Sequence, residues 1–480
     1  MASFLISIGV LVAGYLFYGR FVSRAFGPTD RETPAVAMKD GVDYIPMPTW
    51  KVFLIQLLNI AGTGPIFGAL SGALFGPIVY IWIIFGNILG GAVHDYMCGM
   101  LSVRHNGANI SEITGNYLGN GMRQVMRVFS VILLVMCGVV FTTGPADLLA
   151  LLTPESLNSS FWLWIIIAYY FIATFVPIDK LIGRLYPLFG ICLIVMALGV
   201  SGSLVFSGNY EMPELWNAFT NLHPEGTPVW PFMLITVACG AISGFHATQS
   251  PMMARCLKSE KQGRRVFYGA MVAEGIIALV WAAAGVSCYE SSSALLEAGG
   301  GCSNVVYEIC TSTMGKVGGI IAIIGVIVCP ISSGDTAYRS ARLTLADWFK
   351  IDQKCWWKRI LLTLPLLVAG ALICHIDYSV VWRYFSFSNQ ALAAIGLWAF
   401  SVYMARARKK YLITALPAAF MTAVTGAYFL SAPECLGALW NAIGIGSAVY
   451  YPVAAAVGAV AAVVLLAVFI RYSGKAKALE

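Results

Sequence analysis

The stretch NIAGTGPIFGALSGALFG at residues 59–76 interrupts an otherwise apolar segment with Gly62, Gly64, Pro65 and Gly68. Each of these residues weakens or breaks a helix. Non-helical backbone at membrane depth is tolerated only where protein or a water-filled cavity satisfies its polar groups. The stretch therefore predicts a discontinuous transmembrane helix beside a cavity, with unwound backbone over residues 62–68.

A second stretch, ACGAISGFHATQSP at residues 238–251, has the same character, because Gly240, Gly244 and Pro251 interrupt another apolar segment. Its hydrogen-bonding side chains, unusual for a lipid-facing helix, are Ser243, His246, Thr248 and Gln249. One glycine pair alone could simply allow close helix packing. Two such stretches favour a second discontinuous helix, unwound over residues 240–249.

The composition is that of an integral membrane protein. Of 480 residues, 59% are hydrophobic and 11% are charged, whereas soluble domains carry roughly 25% charged residues. The net charge of +7 comes from basic residues in short runs beside apolar segments, as topology determinants do. The expected surroundings are a lipid bilayer, and nucleic acid is excluded as a partner.

A span needs about 20 predominantly apolar residues, and on this measure the chain has about thirteen candidate spans. They are residues 2–19, 52–75, 77–101, 122–145, 161–181, 185–207, 229–247, 266–289, 316–338, 358–376, 385–404, 411–431 and 450–471.

Basic residues in the loops predict the orientation. The loops that follow residues 247, 338 and 404 are rich in Lys and Arg, so they are expected in the cytoplasm. Three other connecting segments contain neither residue and are expected outside: 146–160, 208–228 and 432–449. The N-terminus is then outside and the C-terminus cytoplasmic.

The two breaks lie five spans apart, in spans that run in opposite directions. This arrangement predicts an all-α membrane protein built as a five-plus-five inverted repeat with discontinuous helices in corresponding positions. The predicted parts are an extra helix and cytoplasmic loop (1–51), the first repeat (52–207), an external loop (208–228), the second repeat (229–404) and two C-terminal helices (405–480).

Half-helix N-termini present unsatisfied N–H groups and a partial positive charge, which suits a carboxylate. Neither break contains an Arg or Lys that could bind a carboxylate instead. A small-molecule substrate that carries a carboxylate is therefore expected at the breaks. Its predicted contacts are Gly62, Thr63, Gly64, Ser243 and Gly244, with His246 nearby.

Ionisable residues inside spans are costly and usually face a cavity, form pairs or carry protons. Asp95, His94 and Glu274 are the candidates for a coupling proton, with Asp95 the first choice because it lies beside a second titratable group. Alternatively, Asp95 caps a loop or pairs with Arg104, and His94 bonds to a backbone carbonyl.

A third polar insertion, CPISSGDTAYRSAR, occupies residues 329–342. Its candidates for an alternative cation site are Ser332, Ser333, Asp335 and Thr336. Their oxygens and carbonyls exposed by the first break would suit sodium. Alternatively, the serines bond to their own helix and Asp335 pairs with Arg339 or Arg342.

No catalytic residue, resident metal or cofactor is expected, apart from a coupling ion. A haem carrier would need facing His pairs, and the five His are scattered. A hydrolase would need a nucleophile beside a base; Ser243 lies three residues from His246, but at a broken helix this pair suits binding better. On the outer side, Cys302 and Cys310 either form a disulfide or remain thiols.

Several segments resemble the carbon starvation protein A (CstA) transporters: residues 33–53, 61–107, 239–251, 329–343 and 385–395. The resemblance implies a carrier of the bacterial or archaeal inner membrane, with a leucine-transporter-like fold related to the amino acid, polyamine and organocation transporters. Members are described as taking up peptides during carbon starvation or as proton-coupled pyruvate symporters.

The expected function is therefore ion-coupled secondary uptake of a small carboxylate nutrient, pyruvate or a short peptide, by proton symport. A sodium-coupled amino acid or peptide symporter is the alternative within the same class. A passive channel or a membrane nutrient sensor is the alternative of another class, distinguished by whether uptake is saturable and accumulates solute.

Overall fold

The computed structural model describes residues 1–41, 44–175, 186–300, 303–353 and 355–478, except for the side chains of residues 186–188 and 317. Within these ranges the chain is helical and contains no strand. The all-α membrane fold predicted from the sequence is confirmed.

The main helices are α1 (Ala2–Phe26), α2 (Thr49–Ile60), α3 (Gly64–Ala73), α4 (Val79–Phe85), α5 (Ala92–Arg104), α6 (Ile110–Leu118), α7 (Asn120–Leu152), α8 (Ser159–Ala173), α9 (Tyr186–Phe206), α10 (Phe245–Ala254), α11 (Gly269–Ser287), α12 (Ser303–Phe349), α13 (Trp356–Ile373), α14 (Tyr378–Arg406), α15 (Leu412–Ser431) and α16 (Ser447–Lys475). Short helices cover Pro34–Ala37, Leu234–Thr236, Glu260–Gln262, Ser292–Glu297 and Ala438–Ala442, and wide helical turns cover Gly86–Gly91, Val229–Met233, Arg264–Tyr268 and Pro433–Gly437.

Among the described residues, eight helices are long and apolar enough to cross a membrane, and the bent pair α2 and α3 makes nine if it counts as one span. Of the other predicted spans, 77–101, 161–181 and 229–247 fall on shorter or interrupted helices, whereas 385–404 falls within α14, which is continuous over 29 residues but less apolar. The span predicted at 161–181, for example, coincides with α8, which has 15 residues, and its last six positions lie outside the described residues. The number thirteen stays a prediction.

The first break is shorter than the sequence predicts. Helix α2 ends at Ile60, α3 begins at Gly64, and the two axes differ by 48°. Only residues 61–63 are unwound, so the predicted bound of residue 68 is wrong. The reason is Pro65, which lies in the first turn of α3, where no backbone donor is needed and proline favours the helix.

The second break is shifted toward the N-terminus of its predicted range. Backbone without regular helix runs from Val237 to Gly244, and α10 begins at Phe245. Residues 245–249 are helical, so the predicted unwinding up to residue 249 is wrong. Gly240 has a φ of +86°, a conformation that only glycine adopts without strain.

Small residues allow the helices around the breaks to approach closely. On α7, Gly138 faces the ring of Tyr338 on α12, and a Cβ atom at Gly138 would overlap that ring. A Cβ atom at Gly334 would likewise overlap the ring of Tyr170 on α8. Because lipid provides no hydrophobic driving force between helices, their association depends on close packing, and glycine at these positions permits it.

The two termini lie on opposite faces of the helix bundle. Glu214 accepts hydrogen bonds from the amides of Ala2 and Ser3, both at 2.8 Å, so the N-terminus shares a face with segment 208–228. Near the other terminus, Arg408 donates to the Ala476 carbonyl at 3.1 Å, and the adjacent Lys409 donates to the carbonyl of Phe26, at the far end of α1. The relative placement agrees with the predicted alternation; which face is cytoplasmic stays a prediction.

The structure leaves two of the sequence-based predictions untested. Cys302 lies outside the described residues, so its pairing with Cys310 stays open, and Cys310 itself is buried. The repeat boundaries at residues 52–207 and 229–404 also stay predictions.

The predicted orientation is checked by cysteine labelling in intact cells. Asn209→Cys and Lys261→Cys change exposed residues on opposite faces. Asn209→Cys should react with a membrane-impermeant maleimide above the background of the parent chain, whereas Lys261→Cys should react only after permeabilisation. The reverse pattern would place the N-terminus in the cytoplasm.

Candidate functional site

The two breaks touch each other. Gly64, the first residue of α3, lies directly against Cys239 of the second break, and a Cβ atom at Gly64 would overlap the cysteine side chain. Asn87 donates from its Nδ2 atom to the carbonyls of Gly240 and Met271, both at 2.8 Å. These contacts fix the second break between α3 and α11.

Four buried titratable side chains form a continuous row beside this junction. Asp95 on α5 lies between two imidazoles: its Oδ1 is 3.0 Å from Nδ1 of His94, and its Oδ2 is 2.8 Å from Nδ1 of His246. Nε2 of His246 lies 3.5 Å from Oε2 of Glu274 on α11. All four side chains have 0% exposure. We call them the titratable row.

The geometry of the row favours a proton between His246 and Glu274. An ionised Asp95 accepts from the Nδ1–H groups of both histidines, so a neutral His246 turns the lone pair of Nε2 toward Glu274. A lone pair and an ionised carboxylate repel each other in a buried site. The arrangement is stable only when a proton lies on His246 Nε2 or on Glu274.

Asn389 on α14 caps the second half-helix. Its Oδ1 accepts from the Phe245 amide at 2.6 Å and from the Ser243 hydroxyl at 3.1 Å, and its carbonyl accepts from the Gly244 amide at 3.1 Å. The Gly244 and Phe245 amides at the N-terminus of α10 are therefore already paired within the protein.

The first break keeps free polar groups. Neither the Gly62 nor the Thr63 amide donates a hydrogen bond within the described part of the chain. The Thr63 hydroxyl and both polar atoms of the Asn59 side chain are also buried without a partner in that part. Buried polar groups are normally satisfied, so these atoms are candidate contacts for a polar ligand.

Aromatic rings limit the space at the breaks. The ring centroid of Phe141 on α7 lies 5.5 Å from that of Phe245 and 6.4 Å from that of Phe385. A Cβ atom built at Gly62 would lie 3.0 Å from the Phe141 ring. The rings therefore favour a small ligand.

The third polar stretch meets the first break through Cys329 and Ser333. The Cys329 thiol donates to the Ala61 carbonyl at 2.8 Å. Ser333 donates to the Leu58 carbonyl at 3.0 Å, whereas Ser332 donates to its own helix at Cys329, at 2.7 Å. Thr336 also bonds within its helix. Asp335 pairs with Arg339 at 3.8 Å. Ser333 thus lies where the predicted cation site requires it, whereas Ser332, Thr336 and Asp335 make the local contacts of the alternative prediction.

Among the described residues, one group of three side chains has potential metal-ligand atoms within 4.8 Å of one another: Cys239, His246 and Glu274. Two of these three side chains already belong to the titratable row. The Cys239 sulfur lies 3.6 Å from the Asn389 amide nitrogen. We assign the group to the row rather than to a metal centre.

The structure unites residues that the sequence predicts for separate roles. His94, Asp95 and Glu274 were predicted for the proton, and His246 was predicted for the substrate. Four contributors were missed: Asn59, Asn87, Cys239 and Asn389. Asn389 stands next to Gln390 in an apolar span, and this polar pair was the available signal.

Comparison with known proteins agrees with this geometry. A sequence model of the family described as "Carbon starvation protein CstA" matches residues 1–150, 146–298 and 287–427. The chain is 42% identical over 355 residues to an uncharacterized membrane protein of Haemophilus influenzae, across 63% of this chain and 95% of that protein.

Two further relatives carry functional names. The chain is 28% identical to the peptide transporter CstA of Bacillus subtilis, across 86% of this chain and 87% of that protein. It is 25% identical to the pyruvate/proton symporter BtsT of Escherichia coli, across 57% of this chain and 47% of that protein.

Solved structures share the fold. The manganese transporter of Eremococcus coleocola, in complex with an aromatic bis-isothiourea substituted compound, superposes with a TM-score of 0.54 at 12% identity, over 90% of this chain and 99% of that one. MhsT in complex with L-phenylalanine superposes with a TM-score of 0.55 at 15% identity, over 87% and 98%. The fold is leucine-transporter-like.

Removal of the cap at the second break should destabilise the protein. Asn389→Ala leaves the buried Phe245 amide without an acceptor, which costs roughly 1–3 kcal/mol. We expect a lower thermal unfolding midpoint of the purified chain than for Asn217→Ala, which changes an exposed asparagine. Equal midpoints for the two variants would show that Asn389 is not a structural cap.

Proposed function

Because the chain belongs to the carbon starvation protein CstA family, we propose that it takes up a small carboxylate nutrient, pyruvate or a short peptide, together with a proton. The chain is an integral membrane transporter and not an enzyme, like its named relatives. One observation carries the proposal: a helix break with free donors lies one side chain, that of Cys239, away from a buried row of titratable groups.

The substrate carboxylate binds at the first break in this proposal. The amides of Gly62 and Thr63 and the Thr63 hydroxyl supply donors, and the N-terminus of α3, beginning at Gly64, supplies a partial positive charge. Ser243 and Gly244, also predicted for the substrate, are engaged by Asn389. Their part is to hold the second break in position.

The coupling proton is shared between His246 and Glu274, and Asp95 orients His246. Only the Cys239 side chain lies between the first break and this pair: it contacts Gly64 on one side, and its sulfur is within 4.8 Å of the His246 and Glu274 donor atoms on the other. A negative charge bound at that distance in a buried site favours a proton on the pair. Substrate and proton therefore load together, which is the requirement for symport.

The direction of uptake follows from the predicted location. We place the chain in the bacterial or archaeal inner membrane, with its N-terminus outside and its C-terminus in the cytoplasm. The proton gradient across that membrane points inward, so a proton that loads from outside drives accumulation of the nutrient.

Sodium coupling of an amino acid or peptide is the second candidate. It is favoured by the contact between the Ser333 hydroxyl and the Leu58 carbonyl, since hydroxyl and carbonyl oxygens suit a hard cation. An absolute requirement for sodium in proteoliposome uptake would favour this site over the titratable row. Unsaturable flux without accumulation would instead indicate a passive channel.

Asp95→Asn tests the proton path. Without the carboxylate, His246 loses its charged partner and the shared proton is no longer stabilised. We expect pH-driven accumulation of labelled pyruvate in proteoliposomes to be abolished, while exchange across a symmetric membrane persists in part because the first break is intact.

The matched control is Asp377→Asn, which removes an exposed aspartate and should leave accumulation unchanged. Full pH-driven accumulation in Asp95→Asn would remove this residue from the mechanism.

Thr63→Val tests the carboxylate site at nearly constant side-chain volume. Loss of a hydrogen bond to a charged group costs roughly 1.5–3 kcal/mol, so the half-saturation concentration for pyruvate should rise about tenfold or more. Thr425→Val, which removes a hydroxyl bonded within its own helix, is the control. An unchanged half-saturation concentration, or equal transport of an amine that lacks a carboxylate, would contradict the assignment.

A further inference from the structure

A groove of about 650 Å³ lies between α1, α2 and α11, away from the breaks. Its walls include Tyr15, Phe53 and Ala273. The groove extends from Arg265, in the wide helical turn that precedes α11, to Ile276 on α11, a distance of roughly 16 Å at about 1.5 Å per residue. It is therefore a long, largely apolar groove within the membrane-spanning part of the protein.

A free cation stands at one end of the groove. Arg265 lines it, is exposed, and has no carboxylate partner in the described part of the chain. The preceding Arg264 is used differently: it donates to the Tyr15 carbonyl at 3.3 Å, and its guanidinium lies 4.8 Å from the Tyr15 ring centroid. Arg265 is thus available for an anion outside the protein.

The same end has the features of a membrane interface. Trp50 lines the groove and is 58% exposed, and tryptophan is enriched at the level of lipid headgroups. Lys51 follows it, with its ammonium 6.0 Å from the Trp50 ring centroid. A second positive charge therefore lies close to the mouth.

We propose that this groove binds one anionic phospholipid, with its phosphate at Arg265 and an acyl chain along α11. The occupant follows from charge and shape together. An apolar groove of this length accepts an acyl chain, and its cationic mouth selects an anionic headgroup over a zwitterionic one. The site does not depend on the proposed transport function.

Native mass spectrometry of the purified full chain tests the site. The probes are phosphatidylglycerol and phosphatidylcholine with identical acyl chains, titrated into the detergent-solubilised protein. The parent chain should retain phosphatidylglycerol more tightly. Arg265→Gln should weaken phosphatidylglycerol binding about fivefold and leave phosphatidylcholine binding unchanged.

A second variant tests the acyl chain. Ala273→Leu fills the groove and should weaken the binding of both lipids. The control variants are Arg20→Gln and Ala456→Leu, which change exposed residues outside the groove; both should bind lipid like the parent chain.

Three outcomes would overturn the proposal. Equal retention of the two lipids by the parent chain would indicate annular lipid only. Equal phosphatidylglycerol affinity of Arg265→Gln and Arg20→Gln would remove the headgroup contact. Equal affinities of Ala273→Leu and Ala456→Leu would remove the groove. None of these outcomes bears on pyruvate uptake, so failure here is distinguishable from failure of the transport proposal.

Discussion

The contact of 2.8 Å between Asp95 and His246 joins α5, which is continuous, to α10, which begins at a break. Both side chains are fully buried, and a buried charge is tolerated only when it is paired and hydrogen-bonded. The pair therefore restrains where α10 can lie. His246 on α10 also faces Glu274. The position of α10 therefore decides whether a proton on His246 Nε2 can be shared with the Glu274 carboxylate.

The first break depends on this arrangement through Cys239. Its side chain lies against Gly64 on one side and within 4.8 Å of the donors of His246 and Glu274 on the other. In the proposed mechanism, a ligand held by backbone amides near Gly62 is thereby electrostatically close to the proton. Coupling of the two would need no long path, because the broken helices bring both proposed binding places to one junction.

Local chemistry explains which features the sequence could predict. Glycine and proline within apolar spans mark a break wherever they occur, and the cost of a carboxylate at depth singles out Asp95 and Glu274. The predicted end of the first break was wrong because Pro65 starts α3 instead of interrupting it. The pairing of Asp95 with His246 and the cap by Asn389 involve residues distant in the chain. Neither contact has a local signal, since a polar residue inside a span does not reveal which neighbour it meets.

The most direct test of the central claim is the proton flux that accompanies substrate flux. Proteoliposomes that contain the purified chain and an internal pH indicator would receive labelled pyruvate with no imposed ion gradient and with the membrane potential clamped at zero. The account predicts internal acidification that rises in proportion to pyruvate uptake and disappears when uptake does. The internal pH change is corrected for the unmediated entry of pyruvic acid that protein-free liposomes show. Saturable pyruvate uptake without a corrected change in internal pH would contradict the account.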